Sequence, residues 1–312
     1  MQKASVGKSR FDLGNTFCQF WLRAFFFLSR HAPGMVRFVK PIAVWITITF
    51  VTRVKAACHA NCRRIIGPDT TTRRCQQFSR NVVSTFYDFV SEIGRCEQLT
   101  PDQIASQIVS IEGKDRYLSQ RKKHPGAIII TAHLGSFEVG LVGLKQVEPD
   151  IHVVFKRDAA DGFETLRRNL RQKLGIHEAP IDDGWNTWLK LRDALAQNHV
   201  VVMQADRAMP GQKSQAVPIL HGHLQLPMGP IQLAQMTGVP VFPMFTVRNS
   251  NGKIVVHCLP AIHIDLDAAP IDNIHPALFE LGKCIEQFLF AFGDQWLVLH
   301  KAFMEDNPSR EN

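Results

Sequence analysis

Residues 126–140 read GAIIITAHLGSFEVG, and this stretch indicates the fold class. The continuous apolar run over residues 126–131 is typical of a strand that is buried on both faces of a sheet. Residues 137–146 have helical spacing. His133 lies two positions past the strand, and Glu138 follows five positions later in the first turn of the helix. A buried strand, a short turn and a helix in this order predict an α/β fold.

The rest of the chain repeats this rhythm. We predict a single large domain with a mostly parallel central sheet that is flanked by helices, because strands alternate with helices of 10–15 residues. The predicted strands are 126–131, 151–155, 199–203, 239–247 and 253–262, and the predicted helices are 137–146, 163–174, 185–197, 228–238 and 274–292. Residues 1–96 are predicted to be an N-terminal helical region at a membrane interface, 97–303 the α/β core and 304–312 a frayed tail.

Charge is unevenly distributed along the chain. Residues 1–125 contain 20 Lys and Arg against 8 Asp and Glu, and residues 126–312 contain 16 against 20, so +12 and −4 give the net charge of +8. Because the basic part is also apolar, it indicates an anionic membrane surface or an acidic protein partner, not nucleic acid. Its longest uncharged run, residues 41–52, is shorter than the roughly 20 residues that a membrane-spanning helix needs. We expect helices that lie in the interface, although helices packed on the protein's own core fit the same pattern.

The cysteines predict neither a disulfide framework nor a metal site. The chain has seven, an odd number at scattered positions. Cys58, His59 and Cys62 have a spacing compatible with zinc, but no second pair of ligands follows at the required distance. We expect reduced thiols that face the cytosol.

His133 and Glu138 are the first candidate catalytic residues. An imidazole removes a proton from a hydroxyl group near neutral pH, and it does so best when a carboxylate fixes its tautomer. Without a catalytic role, Glu138 would stabilise the helix dipole and His133 would be an ordinary loop residue. A serine hydrolase is excluded, because Ser136 lacks the G-x-S-x-G context of a nucleophile elbow.

The chain resembles a known group at this point: the lysophospholipid-acyltransferase-like superfamily and, within it, the lipid A (Kdo-linked) lauroyl and myristoyl acyltransferases. Those proteins carry an H-x-x-x-x-D/E pair after a buried strand, which His133 and Glu138 match. Four further blocks follow in the family's order, namely VVFKRDAADGFETLRRNLRQKLG, VVMQADRAMPGQ, LQLPMGPIQLAQMTGVPVFPMF and DQWLVLHKAF. The resemblance covers roughly residues 18–303 and rests on the ordered set. A glycerol-phosphate acyltransferase, the nearest rival, usually has Asp in the pair and a later F-P-E-G block, where this chain has Glu138 and LPMG.

The resemblance implies transfer of a fatty acyl group from acyl carrier protein to a hydroxyl of a glycolipid, with no cofactor or metal. It also implies a location on the cytoplasmic face of the bacterial inner membrane. His133 would be the general base and Glu138 would orient its ring. Arg171 would stabilise the oxyanion or bind a phosphate of the acceptor. A basic loop over residues 119–124, SQRKKH, would dock the acidic carrier protein together with Arg63, Arg64, Arg73 and Arg74. A solvated basic face, or one seated on anionic lipid, is the favoured alternative for these residues.

Four further substrate-binding residues are predicted from the same blocks. Asp206 and Arg207 would order a loop that frames the pocket, and the turn that holds Pro227 and Gly229 would present backbone N–H groups. The alternatives are surface salt bridges for Arg171, Asp206 and Arg207 and a simple helix start for the turn.

Two departures from the family pattern concern the acceptor. Only Asp206 stands where D-x-D is usual, and ILHGH replaces F-F-G. The AHLGSFE and ADRA segments resemble relatives from aryl-polyene pathways, so a different lipid acceptor is an open alternative, as is a membrane-docked lipid-binding protein without activity.

Overall fold

The computed structural model describes residues 27–29, 31–157, 161–209, 211–265 and 269–306. A seven-stranded sheet in the order β1-β9-β8-β2-β5-β3-β4 forms the centre, and β6 and β7 pair as a separate antiparallel hairpin. The strands are β1 Ile108–Glu112, β2 Ala127–Thr131, β3 Ile151–Phe155, β4 His177–Pro180, β5 Val200–Gln204, β6 Ser214–Ile219, β7 Gly222–Pro227, β8 Val241–Arg248 and β9 Ile254–Cys258. In the central sheet every described pairing is parallel except that of β8 with β9.

Helices pack on both faces of this sheet. The described α-helices, of which α1 packs on α2 and α3, are α1 Pro33–Phe50, α2 Thr52–Ile66, α3 Thr72–Cys96, α4 Pro101–Ala105, α5 Lys114–Arg121, α6 Phe137–Lys145, α7 Asp161–Lys173, α8 Trp185–Ala196, α9 Gly229–Thr237 and α10 Pro276–Phe292. The predicted α/β class with a mostly parallel sheet is therefore confirmed, and each predicted strand and helix from residue 126 onward has an observed counterpart.

The isoleucines of strand β2 are buried on both faces of the sheet. Ile128 and Ile130 point into one hydrophobic cluster and Ile129 points into the other, and all three are at most 2 % exposed. A strand in the middle of a sheet that is covered on both faces requires apolar residues at every position. The cluster that contains Ile128 and Ile130 also includes Cys58 and Phe78, so α2 and α3 share the core of the sheet.

Helix α1 is packed differently from its neighbours. Val44 and Ile48 are its buried residues, and they contact α3 through Val83. Several large apolar side chains of α1 are exposed, namely Phe38, Val39, Ile42, Trp45, Ile46 and Phe50. In the part of the chain that the structure describes, no single helix is long and apolar enough to cross a membrane, although α1 and α2 pass that test as a pair bent by 89°. The start of the predicted N-terminal helical region, residues 16–26, lies outside the described residues.

Strands β1, β4, β6 and β7 and the short helices α4 and α5 were not predicted from the sequence. Strands β1 and β4 lie at the two edges of the sheet and carry the weak patterns IVSIE and HEAP. The hairpin of β6 and β7 covers residues 214–227, for which we predicted no strand. The prediction of a frayed tail is wrong for residues 304–306, because they form a 3-10 turn in which Asp306 pairs with Arg64 at 3.1 Å. Residues 307–312 lie outside the described chain.

Candidate active site

The register of two neighbouring strands brings the site together. Strands β2 and β5 are parallel and adjacent, and Thr131 at the end of β2 lies opposite Gln204 at the end of β5. His133 and Asp206 each follow two residues later, so both lie just beyond the carboxyl ends of these two strands. Carboxyl ends of parallel strands are where open α/β folds place their ligands.

The turn that carries His133 is held by backbone contacts. Gly135 has a φ of +54°, a left-handed conformation that favours glycine, and a Cβ at this position would collide with the carbonyl oxygen of Thr246. The Gly135 N–H donates to the carbonyl of Gln295 at 3.0 Å, and the Leu297 N–H donates to the carbonyl of His133 at 2.7 Å. The segment around residues 295–297 therefore fixes the position of the histidine.

Asp206 is the carboxylate that binds the imidazole. Its Oδ1 lies 2.9 Å from His133 Nδ1, and its Oδ2 accepts a hydrogen bond from the indole Nε1–H of Trp296 at 2.8 Å. Asp206 is fully buried. Burial alone would raise the pKa of this carboxyl, but His133, Arg207 and the Trp296 hydrogen bond hold the pKa well below its usual value. Asp206 is therefore an ionised acceptor, and it stabilises positive charge on the ring.

The partners of the ring fix its tautomer. The second ring nitrogen, His133 Nε2, lies 3.3 Å from Nη2 of Arg207. A guanidinium can only donate, so Nε2 carries the lone pair and Nδ1–H donates to Asp206. This is the tautomer that a general base requires, because the lone pair is on the nitrogen that does not contact the carboxylate.

His133 lines a pocket of about 900 Å³. Part of the wall is apolar and includes Val154, Trp185, Trp188, Met203, Leu233 and Met236. Another part is cationic and consists of Lys156, Arg157, Arg167, Arg207 and Lys213. The pocket therefore suits a ligand that combines hydrocarbon with anionic groups.

Glu138 does not orient the imidazole, contrary to the prediction. Its side chain is buried and forms ion pairs with Arg167 at 2.7 Å and with Arg171 at 3.0 Å. Burial raises the pKa of this carboxyl, but Arg171 and Arg167 together outweigh burial and lower it. The five-residue spacing places Glu138 on the side of α6 that faces α7, whereas strand register provides the partner of His133.

Arg171 also differs from its predicted role. It is 1 % exposed, pairs with Glu138 and Glu178, and lies over the ring of Phe155 at 4.7 Å. It is not among the residues that line the pocket, whereas Arg167, one helical turn earlier, is. The repeat of arginine at four-residue spacing is the sequence signal that could have identified Arg167.

The turn before α9 makes room for a neighbouring side chain, and its Met228 N–H is not available to a ligand. Pro227 and Gly229 line the pocket, and their role in substrate binding stays a prediction; the N–H of Met228 between them is already bonded to the carbonyl of Lys213 at 2.9 Å. A Cβ on Gly229 would lie 2.8 Å from Cη2 of Trp188, so the glycine makes room for that indole. Ser136 occupies the N-cap position of α6, yet its side chain makes no capping hydrogen bond.

The described residues contain no cluster of three or more side chains that could hold a metal ion. Cys58 and Cys62 are buried free thiols, and burial raises the pKa of each to about 12. Such thiols are protonated and unreactive near neutral pH.

A family model described as bacterial lipid A biosynthesis acyltransferase matches residues 8–305. The match spans nearly the whole chain, so the chain belongs to this family and is an acyltransferase that acts on a lipid acceptor. A comparison with curated proteins gave no match. The predicted family is confirmed, and the assignment to the aryl-polyene branch stays a prediction.

Proposed function

We propose that this enzyme transfers a fatty acyl group from the thioester of an acyl carrier protein to a hydroxyl group of a glycolipid of the lipid A type. The observation that carries the proposal is the set of contacts around His133. Its Nδ1 is bound by buried Asp206, and its Nε2 carries the lone pair beside a pocket with apolar and cationic walls.

In the proposed mechanism His133 acts first as base and then as acid. Nε2 removes the proton of the acceptor hydroxyl while the hydroxyl oxygen attacks the thioester carbonyl carbon. Asp206 stabilises the imidazolium that results. The tetrahedral oxyanion then collapses, the C–S bond breaks, and the imidazolium returns its proton to the departing thiolate. The products are the acylated acceptor and the free thiol of the carrier.

Glu138 has an indirect role in this proposal. It binds the guanidinium groups of Arg167 and Arg171 and so holds Arg167 against the wall of the pocket. A guanidinium in that place suits a phosphate group of the acceptor, because it offers paired donors to two oxygens. Glu138 is thus a positioning residue for substrate binding.

The predicted docking loop for the carrier protein needs revision. Arg121 is 7 % exposed and pairs with Glu148 at 3.1 Å, so it is committed to the fold. Lys122 and Lys123 precede β2, whereas His133 follows it. The two lysines therefore lie near the amino end of the strand, and the pocket lies at its carboxyl end. Cations at the pocket itself, among them exposed Lys156, are placed better for an acidic donor whose acyl group must reach His133.

The proposed location is the cytoplasmic face of the bacterial inner membrane. Phe38, Trp45 and Phe50 of α1 are 79 %, 58 % and 69 % exposed. Exposed aromatic side chains on one helix, in a basic part of the chain, suit insertion into the headgroup region of an anionic bilayer. Sedimentation with vesicles that contain anionic lipid tests this, and binding that is unchanged when all three are replaced by Ser would contradict it.

The acyl transfer is tested with purified enzyme, radiolabelled acyl carrier protein and separate lipid fractions. We expect His133→Gln to lower turnover by at least about 10²-fold, as loss of a general base does. Full activity of this variant would contradict the proposal. Mass spectrometry of the products decides between a lipid A-type glycolipid and an aryl-polyene or other lipid as acceptor, and acyl-CoA in a parallel reaction tests the donor.

A further inference from the structure

Two buried nitrogen atoms of the pocket wall lack hydrogen-bond partners. They are Nε2 of Gln204 and Nε of Arg207. Other buried polar atoms without partners occur elsewhere in the described chain, but among the described residues that line the pocket these two residues alone carry them. An unsatisfied buried donor costs free energy, so its presence in a folded protein calls for a functional reason.

Both residues are placed by the strand that provides Asp206. Gln204 ends β5 opposite Thr131, and Arg207 follows Asp206 directly. The two donors therefore lie at the carboxyl ends of the same parallel strands as His133, the proposed general base. Strand β5 therefore fixes the position of Gln204 and, three residues further on, of Arg207.

Arg207 is bound to ring nitrogens and not to a carboxylate. Its Nη2 lies 3.3 Å from His133 Nε2, and its Nη1 lies 3.4 Å from His300 Nδ1. Within the described ranges Arg207 forms no ion pair with a carboxylate, whereas Arg167 and Arg171 both pair with Glu138. When an acceptor hydroxyl takes its place at Nε2, Arg207 must give up that hydrogen bond, and Nη2 becomes available within a few ångströms of the reacting carbon.

We propose that Gln204 and Arg207 form the oxyanion hole of the acyl transfer, with the Gln204 amide and the Arg207 guanidinium donating to the tetrahedral oxygen. The inference rests on the proposed function, since it requires His133 to direct a hydroxyl at a thioester. As the hydroxyl oxygen attacks, the carbonyl π electrons move onto the carbonyl oxygen, and that oxygen accepts from Gln204 Nε2, which has no partner in the resting enzyme, and from the Arg207 guanidinium, whose Nη2 has left His133. The charge passes back to sulfur when the C–S bond breaks.

The expected effects fall on turnover. Gln204→Met keeps the size of the side chain and removes its donor, and Arg207→Lys keeps the charge and removes the fork of donors. Each variant should lower kcat by about 10²- to 10³-fold, as the loss of one oxyanion donor does, with KM for the acyl donor changed less than about threefold. Gln204→Glu, which replaces the donor by an acceptor, should lose more than Gln204→Met.

A stable mimic of the intermediate separates this role from a structural one. An alkyl phosphonate carries the tetrahedral anion, and the matching alkyl thioether resembles the ground state without it. Affinity for the phosphonate should fall in Gln204→Met in parallel with kcat, while affinity for the thioether stays constant. Gln77→Met and Arg192→Lys, both at exposed side chains outside the pocket, are the matched controls.

The outcomes distinguish this inference from the function itself. If His133→Gln is inactive while Gln204→Met and Arg207→Lys keep wild-type kcat, the oxyanion assignment fails and the proposed function stands. If kcat falls but phosphonate affinity does not, the assignment also fails. If His133→Gln keeps full activity, both fail. Thermal melting of each variant confirms that it is folded, and Gln204→Glu supplies the answer if Gln204→Met is not.

Discussion

Asp206→Asn is the most discriminating single substitution at this site. In the native enzyme both oxygens of Asp206 accept, one from His133 and one from Trp296. The indole of Trp296 can only donate, so the amide oxygen of the asparagine must face it, and the amide NH₂ must face His133. Nδ1 then has to accept a hydrogen bond. The proton moves to Nε2, the nitrogen that should act as base.

The size of the effect follows from this reversal. The pocket would contain an Nε2–H where the native enzyme has a lone pair, and Arg207, also a donor, would face it at the 3.3 Å of the native contact. Loss of a general base costs about 10²–10⁴ in rate, and a reversed tautomer in a serine protease triad costs about 10⁴. We expect kcat to fall by about 10³- to 10⁴-fold, equivalent to about 4–5.5 kcal/mol of transition-state stabilisation at about 1.36 kcal/mol for each factor of ten.

Two measurements check this prediction. Single-turnover transfer from acyl carrier protein gives the rate of the chemical step, and ¹⁵N chemical shifts of labelled histidine, assigned with His133→Gln, report which ring nitrogen carries the proton. Asp193→Asn, at an exposed carboxylate outside the pocket, is the control. Turnover within threefold of wild type, or an unchanged His133 tautomer, would refute the reasoning.

Three further predictions concern stability, specificity and membrane binding. Glu138→Gln should lower the free energy of unfolding by about 3 kcal/mol, the lower end of the range for a broken buried ion pair, because it removes the carboxylate that Arg167 and Arg171 share while Arg171 keeps Glu178; a drop under about 1 kcal/mol in urea titration would contradict this. Folding lowers the pKa of Glu138, so its ionisation stabilises the wild type at pH above about 4.5, and this stability is lost as pH falls through the folded pKa; the variant should show a shallower acid dependence. Trp188→Ala should enlarge the apolar part of the pocket and admit longer acyl chains, and Gly229→Ala should displace the Trp188 indole and also change the chain-length profile. Gas chromatography of the products measures this profile, and a profile identical to that of the wild type would exclude a role of Trp188 in acyl-chain selection. Trp45→Ser should weaken sedimentation with anionic vesicles severalfold without changing turnover on detergent-dispersed substrate.

Local pattern was sufficient to predict the fold and the position of the histidine. The run of isoleucines required a strand covered on both faces, and the residues after it placed His133 at the carboxyl end of β2. Weakly patterned elements at the edges were missed. Strand β4 has the sequence HEAP, and its pairing with β3 comes from the position of the chain and not from its own propensity.

The partner of the histidine could not be predicted from local spacing. His133 and Asp206 are 73 positions apart, and they meet because β2 and β5 are neighbours in the sheet. Glu138 has the spacing that suggests a dyad, but helix α6 turns its side chain toward the arginines of α7. Strand order and the rotation of a helix are tertiary properties, so the sequence offered two acidic candidates without the means to choose between their roles.

Charge balance gives a reason why Glu138 and Asp206 lie in two separate groups of charged residues. Glu138 and Glu178 offset Arg167 and Arg171, so that cluster is formally neutral and remains so throughout the reaction. In the proposed mechanism, Asp206 and Arg207 start with opposite charges beside an uncharged His133, and the transition state adds an imidazolium and an oxyanion of opposite sign. The imidazolium forms against the carboxylate of Asp206, and the oxyanion forms against the guanidinium of Arg207. The new charges therefore meet fixed partners of opposite sign that the fold had already placed, which is how a site lowers a barrier without reorganising. Exchanging either fixed charge for a neutral group should therefore raise the barrier, and the single-turnover rate measures that rise.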